Sequence, residues 1–202
     1  MFDIQGLITR CFVYLMDGQI DQAAVEINQA SKISVETNGG VEPLVLIAQA
    51  IIDFNKGNVP SALSSLKKLI EINPLSPPDI WLALGVCYFK IGNYLKAKFA
   101  FEHTLEIDPE NSMALTSLGI TELLLNSSDP NQRKKAVILF QKSFEIDDTN
   151  PLTMKHLGEH FFVSGDLDIA EALCTRAIKH CDHYKSTLLK SDLNFILGKI
   201  HH

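Results

Sequence analysis

The feature that most constrains the fold is a repeat with a period near 35 residues. Three segments share the same ending, at Leu69–Pro74, Thr104–Pro109 and Ser143–Asp148, and their glutamates are 35 and 39 residues apart. A glycine followed by a polar residue also recurs, at Gly18, Gly57, Gly92 and Gly165, as expected of turns. A period of this length that contains two helical stretches predicts stacked helix pairs.

The clearest repeat spans residues 78–111. It contains Trp81-x-x-Leu84-Gly85-x-x-Tyr88, then Ala97-x-x-x-Phe101, then Pro109. This pattern resembles the tetratricopeptide-repeat family. The resemblance implies an all-α fold, a right-handed superhelical solenoid of antiparallel helix pairs.

The weaker copies extend the pattern along the whole chain, so we expect residues 1–202 to form a single array. Its units are predicted near 1–36, 43–74, 78–111, 112–150 and 151–184, with a terminal helix over 185–202. Leu197-Gly198 stands at the Leu-Gly position of what would be the first helix of a further unit. We therefore expect this chain to be a fragment of a longer array. Residues 37–40 predict a flexible joint, and residues 126–131 a surface loop.

Small residues at fixed places in the repeat indicate where helices cross closely. Gly85, Gly119 and Gly158 stand at this position on the first helix of their pairs, and an alanine stands on the second. Gly92 follows the first helix of its pair, where a positive φ is needed. We therefore expect turns at the glycines and tight crossings at the Leu-Gly positions.

The first helix of each pair is expected to line the concave side of a solenoid. Counting from the motif predicts a partner-binding groove lined by Phe12, Val45, Ile52, Leu82, Val86, Phe89, Met113, Thr116, Ile120, Leu123, Lys155, Glu159 and Phe162. This lining is mostly apolar, which favours a helical or extended segment of another protein. Tetratricopeptide domains that bind a chaperone's C-terminal carboxylate use Lys, Asn and Arg at these positions. Here that basic set is missing, apart from Lys155. The alternative is that packing within the array, or an additional helix, covers these residues.

The sequence predicts no enzyme, no cofactor and no metal site. His156 and His160 are one helical turn apart, but the order of residues is not that of a zinc protease and a third ligand is not evident. Cys174, His180, Cys181 and His183 lack the paired spacing of zinc modules. Core packing explains the cysteines, and a repeat helix explains the first two histidines.

Charge and hydropathy exclude two classes of partner. The net charge of −6 argues against direct nucleic-acid binding, which normally requires a basic face. Every apolar run is shorter than the roughly 18 residues that a membrane helix requires. Protein segments are therefore the expected partners.

Residues 40–202 also resemble a narrower family, the tetratricopeptide scaffold subunit of the RNA polymerase II-associated Paf complex. The similar stretches include Gly85–Lys90, Lys96–Phe101, Ala114–Gly119 and His156–Phe162. The resemblance implies a nuclear scaffold that binds other Paf subunits and organises transcription elongation and histone modification. Two alternatives stay open: another adaptor, of a ubiquitin ligase or of trafficking, and the regulatory array of an enzyme such as a sugar transferase.

Overall fold

The computed structural model describes residues 3–125, 129–181 and 187–201, without the side chain of Asn38. These residues form eleven α-helices and no strand: α1 Ile4–Met16, α2 Ile20–Asn38, α3 Pro43–Asn55, α4 Val59–Ile72, α5 Pro78–Lys90, α6 Tyr94–Ile107, α7 Ser112–Leu125, α8 Pro130–Ile146, α9 Pro151–Ser164, α10 Leu167–Cys181 and α11 Thr187–Ile200. The predicted all-α class is confirmed. In the described part of the chain, no helix has the length and apolar character needed to cross a membrane.

One turn geometry recurs inside four of the helix pairs. The glycine after the first helix has a positive φ of 74°, 81°, 77° or 89°, at Gly18, Gly57, Gly92 and Gly165. The residue after it donates its backbone N–H to a carbonyl five residues back, at 2.8–2.9 Å. This arrangement satisfies a free carbonyl at the helix end and needs the left-handed region that favours glycine. The predicted glycine turns are confirmed.

Two predicted connections differ from the structure. The joint expected at residues 37–40 begins later, because α2 continues to Asn38 and is capped by Gly39 at a φ of 68°. Pro130 and Asn131, expected in a loop, begin α8, because the Asp129 side chain accepts the N–H of Asn131 and proline suits the first helical turn. The rest of that predicted loop includes residues 126–128, which lie outside the described residues.

The described chain divides into two compact units, the first ending at Ala100 and the second beginning at Phe101. In the first unit, α1 and α2 pack with α3 around Cys11, Ala23 and Ile27. A second cluster joins α3, α4 and α5 around Leu66 and Leu84. These clusters bury one side of each helix and so fix the positions of α3 and α5. The single array predicted over residues 1–202 remains a prediction.

In the second unit, helices cross closely at two glycines. A side chain on Gly119 of α7 would meet Phe140 of α8, because an added Cβ would lie 2.6 Å from its Cε1 atom. At Gly158 of α9 an added Cβ would lie 2.8 Å from the Sγ atom of Cys174. The crossings predicted at these two glycines are confirmed. A further cluster around Met154 and Leu193 packs α11 against the last pair.

Candidate protein-binding cleft

The two sides of α3 have different roles in the first unit. Val45 and Ile52 are each only 1% exposed and pack in the core around Cys11. The prediction that these two residues line an open groove is therefore wrong: the first helix pair covers them. The residues that face α5 are Ile47, Ile51 and Phe54, which the prediction missed.

A cleft opens between α3 and α5 on this other side. It has a volume of about 360 Å³ and is lined by Ile47, Ala50, Ile51, Phe54, Asn55, Leu66, Asp79, Ile80, Leu82, Ala83, Val86 and Cys87. Leu82 and Val86 belong to the predicted groove, and they lie here together, both half-buried. We call these twelve residues the α3–α5 cleft. Its volume lies in the range of roughly 300–1,000 Å³ that is typical of binding sites.

The cleft has an apolar floor and few polar groups. Ile51 is 38% exposed, so part of the apolar surface is open to solvent. The Asn55 side chain donates to the Ile51 carbonyl at 2.8 Å, within its own helix. Lys90 extends over the Phe54 ring, with its Nζ atom 4.5 Å from the ring centroid. An apolar side chain can therefore bind in this cleft with polar groups available at its edge.

The remaining predicted residues of the first unit are not in the cleft. Phe12 packs against the core around Cys11 and is half-buried. Phe89, also half-buried, lies edge-on to the Tyr94 ring, with the centroids 5.4 Å apart. Both rings support the local packing more than they offer a binding surface.

Thr116 in the second unit is a correction to the predicted groove. It is 1% exposed, and its hydroxyl lies 2.8 Å from the Ser143 hydroxyl and 2.7 Å from the Thr153 hydroxyl. It also donates to the Ser112 carbonyl at 3.0 Å. Thr116 therefore joins three helices in the interior, where a partner does not reach it. Met113, by contrast, is 52% exposed.

Ile120 and Leu123 are half-buried and pack against a core cluster that contains Phe140 and Leu157. Phe162 is half-buried on α9. These three apolar side chains keep part of their surface accessible, and their role in partner binding stays a prediction.

Lys155 and Glu159 belong to a charged network. Lys155 donates to the Asp192 carboxylate of α11 at 3.0 Å and lies 3.7 Å from Glu159. Burial raises the pKa of Glu159, but the hydrogen bond to His156, and then the charges of His156 and Lys155, outweigh it and lower the pKa below its ordinary value. The Lys155 ammonium is thus already neutralised within the chain, so it is a poor site for a partner's carboxylate.

Structural contacts account for four of the histidines and cysteines considered as metal ligands: His156, His160, Cys174 and Cys181. His156 lies 2.9 Å from a Glu159 oxygen and stacks on Phe140 at 5.0 Å between ring centroids. His160 lies against the Phe161 ring. Cys174 and Cys181 are buried in the core. No group of three His, Cys, Asp or Glu side chains that could hold a metal occurs in the parts of the chain described; His183 lies outside them.

Comparison with known proteins defines the class. The family model for the tetratricopeptide repeat matches residues 78–111. A solved structure, a thermophilic TPR protein of Thermus thermophilus, superposes with a TM-score of 0.72 at 20% identity over 96% of this chain and 99% of that one. Residues 78–111 thus match a tetratricopeptide repeat, and the repeated helix pairs and glycine crossings give the chain the fold of tetratricopeptide-repeat proteins.

Two relatives with similar sequences indicate a more specific group of proteins. The chain is 31% identical over 205 residues to the RNA polymerase-associated protein CTR9 of Caenorhabditis elegans, an alignment that covers 100% of this chain and 17% of the relative. It is 33% identical over 169 residues to the CTR9 homolog of Arabidopsis thaliana, covering 84% of this chain and 15% of the relative. The chain thus spans about a sixth of the length of these relatives.

Proposed function

We propose that this chain is a scaffold segment of the Paf type, which holds an apolar segment of another subunit in the α3–α5 cleft. The tetratricopeptide fold is a protein-interaction fold, and the proposed role is non-catalytic. The similarity to proteins named as RNA polymerase-associated CTR9 supports the Paf assignment. On this proposal the protein acts in the nucleus, in transcription elongation and its links to histone modification.

The observation that carries the binding site is the open apolar surface of the cleft. Ile51, Leu82 and Val86 line one concave space from two helices, and Ile51 keeps 38% of its surface in solvent. Removing apolar surface from water is favourable by about 25 cal/mol per Å², and this gain must exceed the entropic cost of association. One or two apolar side chains of a partner, spaced along a helix or strand, would therefore provide the anchors.

The test is to purify the full-length protein that contains this chain by affinity and to identify its bound partners by mass spectrometry. The variant Ile51→Asp plus Leu82→Asp places two charges in the cleft, and we expect it to lose its subunit partners. The matched control is Val25→Asp plus Leu95→Asp, since both residues are exposed, at 67% and 72%, and neither lines the cleft. Circular dichroism checks that both variants keep their helical content.

Each result bears on a different part of the proposal. Partners retained by the cleft variant, or lost equally by the control, would overturn the cleft assignment. Recovery of ubiquitin-ligase or trafficking proteins, without RNA polymerase-associated subunits, would overturn the Paf assignment and favour one of the alternative adaptors. A catalytic domain continuous with this chain would instead indicate the regulatory array of an enzyme.

A further inference from the structure

A second cavity lies on the opposite face of α5. It has a volume of about 380 Å³ and is lined by Lys67, Ile70, Glu71, Trp81, Leu84, Tyr88, Lys96, Phe99 and Ala100. Its α5 residues are three and four positions apart, as are those of the cleft, but the two sets lie on different sides of the helix. We call these nine residues the Trp81 pocket. Nothing in the proposed function uses it.

The pocket combines an aromatic floor with two cations. The Nζ atoms of Lys67 and Lys96 lie 5.7 and 5.6 Å from the centroid of the Tyr88 ring. These lysines come from α4 and α6, so two different helices bring positive charge to one ring. Within the described residues, neither ammonium has a carboxylate within the 4.0 Å of an ion pair.

The apolar part of the pocket is open to a ligand. Phe99 is 63% exposed, while Trp81 and Ile70 are half-buried beside it. Aromatic side chains that line a concave surface are common anchor sites in protein interfaces. The lysines add a charge preference to this apolar surface.

We propose that the Trp81 pocket binds an acidic protein segment that carries one bulky apolar side chain. The apolar side chain packs on Trp81 and Phe99, and neighbouring carboxylates pair with Lys67 and Lys96. Charge complementarity identifies the partner: the chain has a net charge of −6, yet the pocket lining contains two lysines against one carboxylate, Glu71, and among the described residues neither lysine forms an ion pair. The excess of positive charge at the pocket favours an acidic segment there, against the negative net charge of the chain.

The chain's single tryptophan makes the proposal directly measurable. Because Trp81 is the only tryptophan and lines the pocket, its fluorescence reports occupancy. The probes are three capped pentapeptides: Asp-Glu-Phe-Glu-Asp, the same with alanine in place of phenylalanine, and Lys-Lys-Phe-Lys-Lys. We expect only the first to shift the Trp81 emission saturably, at up to roughly millimolar concentrations.

Two variants with the same net charge test the role of the lysines. Lys67→Gln plus Lys96→Gln should weaken binding of the acidic phenylalanine peptide about tenfold. Lys68→Gln plus Lys134→Gln removes two exposed lysines that do not line the pocket, and should leave binding unchanged. Adding salt should weaken binding to the unmodified chain and have a smaller effect on the first variant.

Several results would overturn the proposal: equal binding of the basic or the alanine peptide, equal binding to the Lys67→Gln plus Lys96→Gln variant, or no emission shift at all. Equal weakening in both lysine variants would show a general charge effect and would also reject the pocket. The cleft variant Ile51→Asp plus Leu82→Asp should still bind the acidic peptide, so failure here is separable from failure of the proposed function.

Discussion

The crossing of α7 and α8 at Gly119 makes a quantitative prediction. In Gly119→Ala, the added Cβ would lie 2.6 Å from Cε1, 3.0 Å from Cζ and 3.1 Å from Cδ1 of Phe140. Phe140 is 1% exposed and stacks on His156, so it has little room to move. We therefore expect α7 and α8 to separate locally.

The magnitude follows from two opposing effects. Alanine favours a helix over glycine by about 1 kcal/mol, whereas overpacking a filled core costs about 1–3 kcal/mol. Because the contact involves a side of a buried ring, we expect overpacking to win and the free energy of unfolding to fall by about 1 kcal/mol or slightly more. Gly198→Ala is the matched control: an added Cβ there meets nothing within 4 Å, so it should be neutral or stabilising by up to about 1 kcal/mol.

Urea denaturation followed by circular dichroism measures both variants. Adding Phe140→Leu to Gly119→Ala should cost less than Phe140→Leu costs alone, since the clash is removed. If Gly119→Ala were as stable as Gly198→Ala, the close crossing of α7 and α8 would be refuted.

Two further predictions concern buried polar and titratable groups. Thr116→Val should lower the free energy of unfolding by about 1–3 kcal/mol, because Ser143 and Thr153 lose a buried hydroxyl partner. The control is Thr9→Val: Thr9 is exposed and its hydroxyl donates to the Gln5 carbonyl, so the free energy of unfolding should change by less than about 0.5 kcal/mol. Equal effects of the two substitutions would contradict the buried hydroxyl cluster. Burial raises the pKa of the Cys11, Cys87 and Cys174 thiols from 9.0 to about 11. Since the folded pKa lies above the unfolded one, the contribution of each thiol to the free energy of unfolding is full below pH 9. It is lost as the pH rises to about 11, by up to about 3 kcal/mol per thiol. Urea midpoints measured across that range should fall more for the unmodified chain than for a variant with alanine at all three positions, and equal slopes would count against burial of the thiols.

Local signals in the sequence predicted the repeat geometry well. Gly18, Gly57, Gly92 and Gly165 mark turns because a positive φ restricts the residue type at that place, whatever packs nearby. Gly119 also signals a crossing that the structure confirms, since little except a missing side chain admits the ring of another helix.

The faces of α3 could not be predicted in the same way. Its apolar residues surround the helix, so periodicity does not select between the stripe of Val45 and Ile52 and the stripe of Ile47, Ile51 and Phe54. The packing of α1 and α2 on the first stripe decides which one is buried.

Polar contacts between residues far apart in the sequence could not be predicted either. The partner of Lys155 is Asp192, 37 residues away on α11. The hydroxyl of Thr116 meets Thr153 at the same separation. Such pairs depend on how helices align after packing, which residue spacing within one helix does not determine.

Site-specific photo-cross-linking tests most directly whether the α3–α5 cleft holds a protein partner. A photoreactive amino acid replaces Leu82, which lines the cleft, or Val25, which is 67% exposed outside it, in the full-length protein in cells. We predict that mass spectrometry finds adducts with RNA polymerase-associated subunits at position 82 and none at position 25. If adducts were absent at position 82, or equal at both positions, the claim that the α3–α5 cleft holds a protein partner would be contradicted.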